Sequence, residues 1–151
     1  MNQARARMTA KLIDSLYTEA MLLADEARSY FDRNGRDDRQ ALDPLLRVGF
    51  SVESLKVTTR LMHVIAWLLT QRALESGELS LDEARAESRR LGEAPTSDPG
   101  LIGRLPDGAG QLVRASQDLF ARVGRLDQKN DATEPRPSPA RSLLSRLERA
   151  F

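Results

Sequence analysis

Cysteine is absent from the 151 residues and histidine occurs once, at His63. The first absence excludes disulfides, thiolate nucleophiles and zinc–cysteine sites. The second leaves serine and cysteine triads almost without parts. Aromatic residues make up 5% of the chain, and the lysines are Lys11, Lys56 and Lys129. The basic side is therefore almost all arginine, and 23 basic residues face 22 acidic ones. A nucleic-acid surface normally shows a basic excess, which is missing here. The chain also lacks the run of ~20 apolar residues that a membrane span needs; its longest strongly apolar stretch, Leu61 to Leu69, is interrupted by His63. Met1 to Met8 carries arginines with no apolar core behind it, unlike a secretory leader. On these grounds the sequence predicts a cytoplasmic protein.

Chemistry is just as sparse. Gly103, Gly108 and Gly110 lack the lysine and the preceding strand of a phosphate-binding loop. The adjacent carboxylates Asp25–Glu26 and Asp37–Asp38 do not converge on a metal and read as solvated charge. The sequence thus offers no catalytic residue, no metal site and no cofactor site, and it is not read as an enzyme.

What the chain does have is helical periodicity with 40% apolar residues and no strand pattern. From Met8 to Arg33, Leu12, Leu16, Ala20, Leu23, Ala27 and Tyr30 recur at three- and four-residue steps. Asn34–Gly35 stops this helix as a left-handed cap would, and Gly35 to Leu42 is a charged connector. Asp43–Pro44 starts a second helix, with the aspartate as cap and proline in the first turn. It runs to about Glu75 and ends at Ser76–Gly77. Ser80 to Glu83 has capping-box spacing and opens a short charged helix to about Leu91. Gly92 to Pro106 is a loop broken by Pro95, Pro99 and Pro106. The last core helix spans Asp107 to Asp127, with Leu112, Ser116, Leu119, Val123 and Leu126 facing inward. Gly108 and Gly110 weaken its first turn by up to about 1 kcal/mol each.

The fold class is all-α: a small up-down bundle of three main helices plus one short helix, over residues 1–127. Residues 128–151 form a flexible tail. Its proline-alternating part, Gln128 to Ala140, cannot build a core. Its end is amphipathic, with Leu143, Leu144, Leu147 and Phe151 on one arc and Arg146 and Arg149 facing away. This is the layout of a tethered docking peptide; folding back onto the bundle is the alternative.

The second helix is the centre of the argument. Phe50, Val57, Leu61, Val64, Ile65 and Leu68 line one stripe. Val48, Leu55, Met62, Ala66, Leu69 and Ala73 line another beside it. One core needs an arc of roughly 100°, and this helix offers about twice that. The second stripe is therefore a dimer or partner surface. Trp67 projects away from both apolar stripes, toward Arg60 and His63 on the helix's more polar side. It is either an exposed interface anchor or folded against a neighbouring helix. His63 reads as a partly exposed helix histidine.

At these residues the chain resembles a known family. Ser15-Leu-Tyr-Thr-Glu-Ala-Met-Leu-Leu23 and Ser29-Tyr-Phe-Asp-Arg-Asn-Gly-Arg36 resemble its opening helix and stop. Glu53-Ser-Leu-Lys-Val-Thr-Thr-Arg-Leu-Met62 and Trp67-Leu-Leu-Thr-Gln-Arg-Ala-Leu-Glu-Ser-Gly-Glu78 resemble its signature second helix. Leu119-Phe-Ala-Arg-Val-Gly-Arg-Leu-Asp127 resembles its closing helix. The family is the RcdA-like proteins of alphaproteobacteria, regulators of CtrA degradation. The resemblance implies a homodimeric, non-enzymatic adaptor. Such adaptors help the ClpXP protease degrade cell-cycle regulators such as CtrA, alongside CpdR-like and PopA-like proteins at a cell pole, and need a mobile C-terminal tail. A structural or regulatory homodimer that binds a transcription factor without a protease is the other class the residues allow.

Overall fold

The computed structural model describes residues 2–132 and 146–150. Three long helices carry the fold: α1, Asn2–Ser29, α3, Pro44–Glu75, and α6, Asp107–Ala132. Between them lie the short helices α2, Gly35–Gln40, α4, Leu81–Ala84, and α5, Pro99–Ile102. A π turn occupies Tyr30–Asn34 and a 3₁₀ turn Glu87–Arg89. Among the described residues there is no strand, so the all-α class holds.

The caps of α3 follow its sequence signals. Asp43 is extended (φ −67°, ψ 163°) and its side chain accepts from the Leu46 amide at 2.9 Å, with Pro44 in the first turn. At the other end Glu78 N donates to Ala73 O and Gly77 N to Leu74 O. That double closure needs the left-handed backbone of Gly77, φ 79°. The Ser80–Glu83 capping box is also present, with both reciprocal bonds formed.

Other signals resolve differently. Asn34–Gly35 does not stop the first helix: Gly35 is right-handed (φ −66°) and opens α2 inside the expected connector. Glycine is used there for space, since a Cβ would lie 2.7 Å from the Tyr30 carbonyl of the π turn. The helix opened by Ser80 ends at Ala84, well before Leu91. The expected loop from Gly92 to Pro106 contains α5, capped by Asp98 with Pro99 following. The last helix runs past Asp127 to Ala132.

α3 is the central rod. Val57, Leu61, Val64 and Leu68 are buried between Ile13, Leu16, Ala20 and Ala27 of α1 and Leu112, Val113, Leu119 and Val123 of α6. On α1 the inward stripe begins at Ile13; Leu12, assigned inward from sequence, is exposed. Ser116 is the polar member of the α6 stripe and is fully buried. The long helices do not simply alternate. Arg72 meets Asp14 and Arg122 meets Glu19, so α1 is antiparallel to both others. Arg60 reaches Ser116 and Trp67 reaches Asp127, so α3 and α6 run parallel. The chain between them must therefore return along the bundle.

A second cluster closes one end, where Phe50, Leu105 and Ala109 meet Tyr30 and Phe31. The Phe31 ring centroid lies 5.1 Å from that of Tyr30 and 5.5 Å from that of Phe50, both edge-on. Gly108 is part of this joint, because a Cβ there would stand 2.5 Å from the Tyr30 ring. Its contribution to packing offsets its poor helix propensity. No described helix is long and apolar enough to cross a membrane.

Candidate functional site

α3 buries one face and leaves another, equally apolar face in water. Leu45, Val48, Val52, Leu55, Met62 and Leu69 are all between 43% and 79% exposed. Of the two alanines in the predicted stripe, Ala66 is exposed and Ala73 half-buried. An isolated exposed leucine needs no explanation, but a contiguous row of them does. Each such side chain contributes about 1.5–3 kcal/mol when fully buried, a gain this fold leaves unused.

The row has a register. Val48, Leu55, Met62 and Leu69 are spaced seven apart, and Leu45, Val52, Thr59, Ala66 and Ala73 repeat in the intervening positions. This alternation of three- and four-residue steps is the spacing of a coiled-coil seam, the pattern by which helices pack on one another. Leu45, Val52 and Thr59 were not assigned to the stripe from sequence, although the heptad spacing was there to be read. Towards the C-terminal half one edge of the seam narrows to Thr59, Ala66 and Ala73. Small residues there let a partner backbone approach closely. Beside the seam, Leu55, Met62 and Ile65 of α3 form a shallow groove with Ala24, Ala27 and Phe31 of α1.

The trio proposed as an exposed anchor is not one. Trp67 and Arg60 are each 2% exposed. Their wheel position, taken as the polar side, is the side that faces α6 and the segment after α4. The Trp67 indole donates to Asp127 Oδ1 at 2.9 Å, and Arg90 donates to both oxygens of the same carboxylate. Arg60 donates to Ser116 Oγ, to Pro95 O and to Ser97 Oγ. Burial lowers the pKa of its guanidinium and the nearby Glu53 carboxylate opposes that shift. His63 is half-buried, with Nδ1 3.1 Å from Leu91 O and its ring near Phe120. It is a packing residue at a helix junction. The burial of these groups was invisible in the sequence because their partners, on α6 and in the segment after α4, lie far away along the chain.

Of the tail residues, Leu143, Leu144 and Phe151 lie outside the described residues. Leu147 sits in a helical turn, residues 146–150, and is exposed. Among the described residues no cluster of three or more histidine, aspartate or glutamate side chains could hold a metal ion.

A family model described as a protein of unknown function (DUF1465) matches residues 4–151. The solved crystal structure of RcdA from Caulobacter crescentus CB15 is similar at a TM-score of 0.67 and 36% identity. The match covers 83% of this chain and 96% of that one. No curated protein matches the chain.

Proposed function

The chain belongs to the RcdA-like family, and we propose that it acts as a non-enzymatic adaptor in regulated proteolysis. In this reading it promotes degradation of cell-cycle regulators such as CtrA by ClpXP in the cytoplasm, concentrated at a cell pole. Cargo and protease-side partners of the CpdR-like and PopA-like kinds are held through protein surfaces. The observation that carries the reading is the uncovered heptad seam on α3. It is a surface for a helix, not for a substrate.

The first occupant of that seam is a second copy of the chain. The midpoint of Leu45 to Ala73 falls at Thr59, so two antiparallel copies set large residues of one against small residues of the other. A standard interface of about 800 Å² per subunit is within reach of a seam this long when the adjoining α1 groove contributes. The tail, through Leu143, Leu144, Leu147 and Phe151, serves as the tethered element that engages the protease side.

The test is client half-life in cells that lack the chain. Complementation with the wild type restores rapid turnover of the client, whereas Leu55→Arg with Met62→Arg does not. Unchanged turnover on deletion of the gene rejects the adaptor role.

A further inference from the structure

The segment from Gly92 to Asp98 lies along α3 in the opposite sense to the helix. Leu91 sits at His63, Pro95 at Arg60, and Thr96 and Ser97 at Lys56 and Glu53. Leu101 then reaches Gly49. Within Gly92–Ser97 no backbone-to-backbone hydrogen bond is formed among the described residues. The segment is held instead by side chains of α3. Pro95 O accepts from Arg60, Thr96 O accepts from Lys56 Nζ at 2.8 Å, and the Ser97 hydroxyl accepts from Arg60 while donating to Glu53. Three successive residues each present one polar group to a fixed row of charges. Lys56 also bonds Glu53 at 3.1 Å, so the row is internally ordered.

The charges themselves are unusual. Glu53 is 1% exposed, so this face of α3 sets a carboxylate and a guanidinium deep under the segment that covers them. The covering is thin: Gly92, Glu93, Pro95, Thr96 and Asp98 are all exposed, and the buried apolar anchors lie outside, at Leu91 and Ile102. Lifting the segment returns Glu53 and Arg60 to water, which recovers their desolvation penalty, and sacrifices few apolar contacts. Segments with this balance open locally at low free energy. Gly92, at φ 70°, marks the pivot on one side.

An extended strand pinned through its carbonyls and one hydroxyl is a peptide in a cleft. We propose that residues 92–98 are the intramolecular occupant of a peptide-binding cleft formed by Glu53, Lys56 and Arg60, with Ser116 of α6 holding the Arg60 guanidinium in place. An extended segment of a partner displaces them when it offers two successive carbonyls followed by a serine or threonine hydroxyl. The cleft uses a different face of α3 from the heptad seam and requires neither dimer nor protease. The built-in segment acts as a brake: a tethered competitor works at roughly millimolar effective concentration, so only a well-matched or locally concentrated partner enters.

The test uses the full chain and a fluorescent peptide, Glu-Ala-Pro-Thr-Ser-Asp-Pro, with the sequence of residues 93–99. A released variant has residues 93–97 replaced by five glycines, which keep the length and remove the hydroxyl that bridges Arg60 and Glu53. The peptide binds the released variant at least ten-fold tighter than the wild type. That gain is lost with Arg60→Gln in the released background, or when alanine replaces serine in the peptide. A folded released variant that binds no tighter than the wild type overturns the proposal. Should these variants not fold, amide NMR on the wild type decides. Millimolar peptide moves the signals of Ala94, Thr96 and Ser97 to random-coil positions and leaves those of α1 in place. Signals from 94–97 that stay fixed at millimolar peptide overturn it equally. Because no client or protease is present, failure here leaves the adaptor reading standing, and failure of that reading leaves the cleft testable.

Discussion

Trp67 and Asp127 are joined by a hydrogen bond of 2.9 Å between the indole Nε1 and the carboxylate Oδ1. The bond ties the C-terminal halves of α3 and α6 in parallel, and Arg90 closes over the same carboxylate at 3.0 and 3.1 Å. Asp127→Ala leaves a buried indole N–H without its acceptor, which costs about 1–3 kcal/mol. Trp67→Ala removes the packing as well and costs about 3–5 kcal/mol. Urea denaturation followed by circular dichroism measures both, and Trp67→Ala is the more damaging of the two.

Gly108→Ala separates packing from propensity. Alanine in a helix is favoured over glycine by about 1 kcal/mol. At this position the added methyl meets the Tyr30 ring, and overpacking costs about 1–3 kcal/mol. The predicted net effect is a lower melting temperature. In a Tyr30→Ala background, where the ring is gone, the same Gly108→Ala change raises it.

The pH dependence has a defined sign at Glu75. Burial, with the Asp14 carboxylate adding to it and Arg72 opposing, raises the Glu75 pKa above its ordinary 4.5. A carboxyl with a raised folded pKa favours the folded state when protonated. Its stabilising contribution is complete below the unfolded pKa and is lost as pH rises through the folded one. Wild type therefore loses stability relative to Glu75→Gln as pH climbs from the carboxylate range towards neutrality. Denaturant midpoints of the two proteins across that range check the sign. Glu75 is exposed in the fold, so the difference is small.

How far the sequence revealed these features depends on how local their causes are. The Asp43–Pro44 start, the Gly77 closure and the Ser80–Glu83 box involve neighbours within a few residues, and each was legible. So was the surplus apolar face of α3, because a heptad is a property of one helix. Asn34–Gly35 misled because glycine there answers to the Tyr30 carbonyl of a π turn, not to a left-handed cap. The exposed-anchor reading of Trp67 and Arg60 failed for one reason. The more polar side of a helical wheel suggests solvent, yet their partners, Asp127 and Ser116, lie 60 and 56 positions away. The parallel course of α3 and α6 was hidden for the same reason, since it is fixed by long-range pairs and by the path of the connection between them.

The tail gives a prediction that leaves the bundle alone. Replacing Leu143, Leu147 and Phe151 with serine abolishes client delivery in a reconstituted degradation reaction while moving the melting temperature by little. A large drop in melting temperature would mean that these residues pack on the bundle instead.

The most direct test of the central claim, that the outer face of α3 exists to pack against another helix, is sedimentation equilibrium of the full chain beside Met62→Arg. The wild type is predicted to sediment as two copies and the variant as one, with unchanged helicity. A wild type that remains a single copy at concentrations of tens of micromolar, or a variant that self-associates as the wild type does, contradicts the claim.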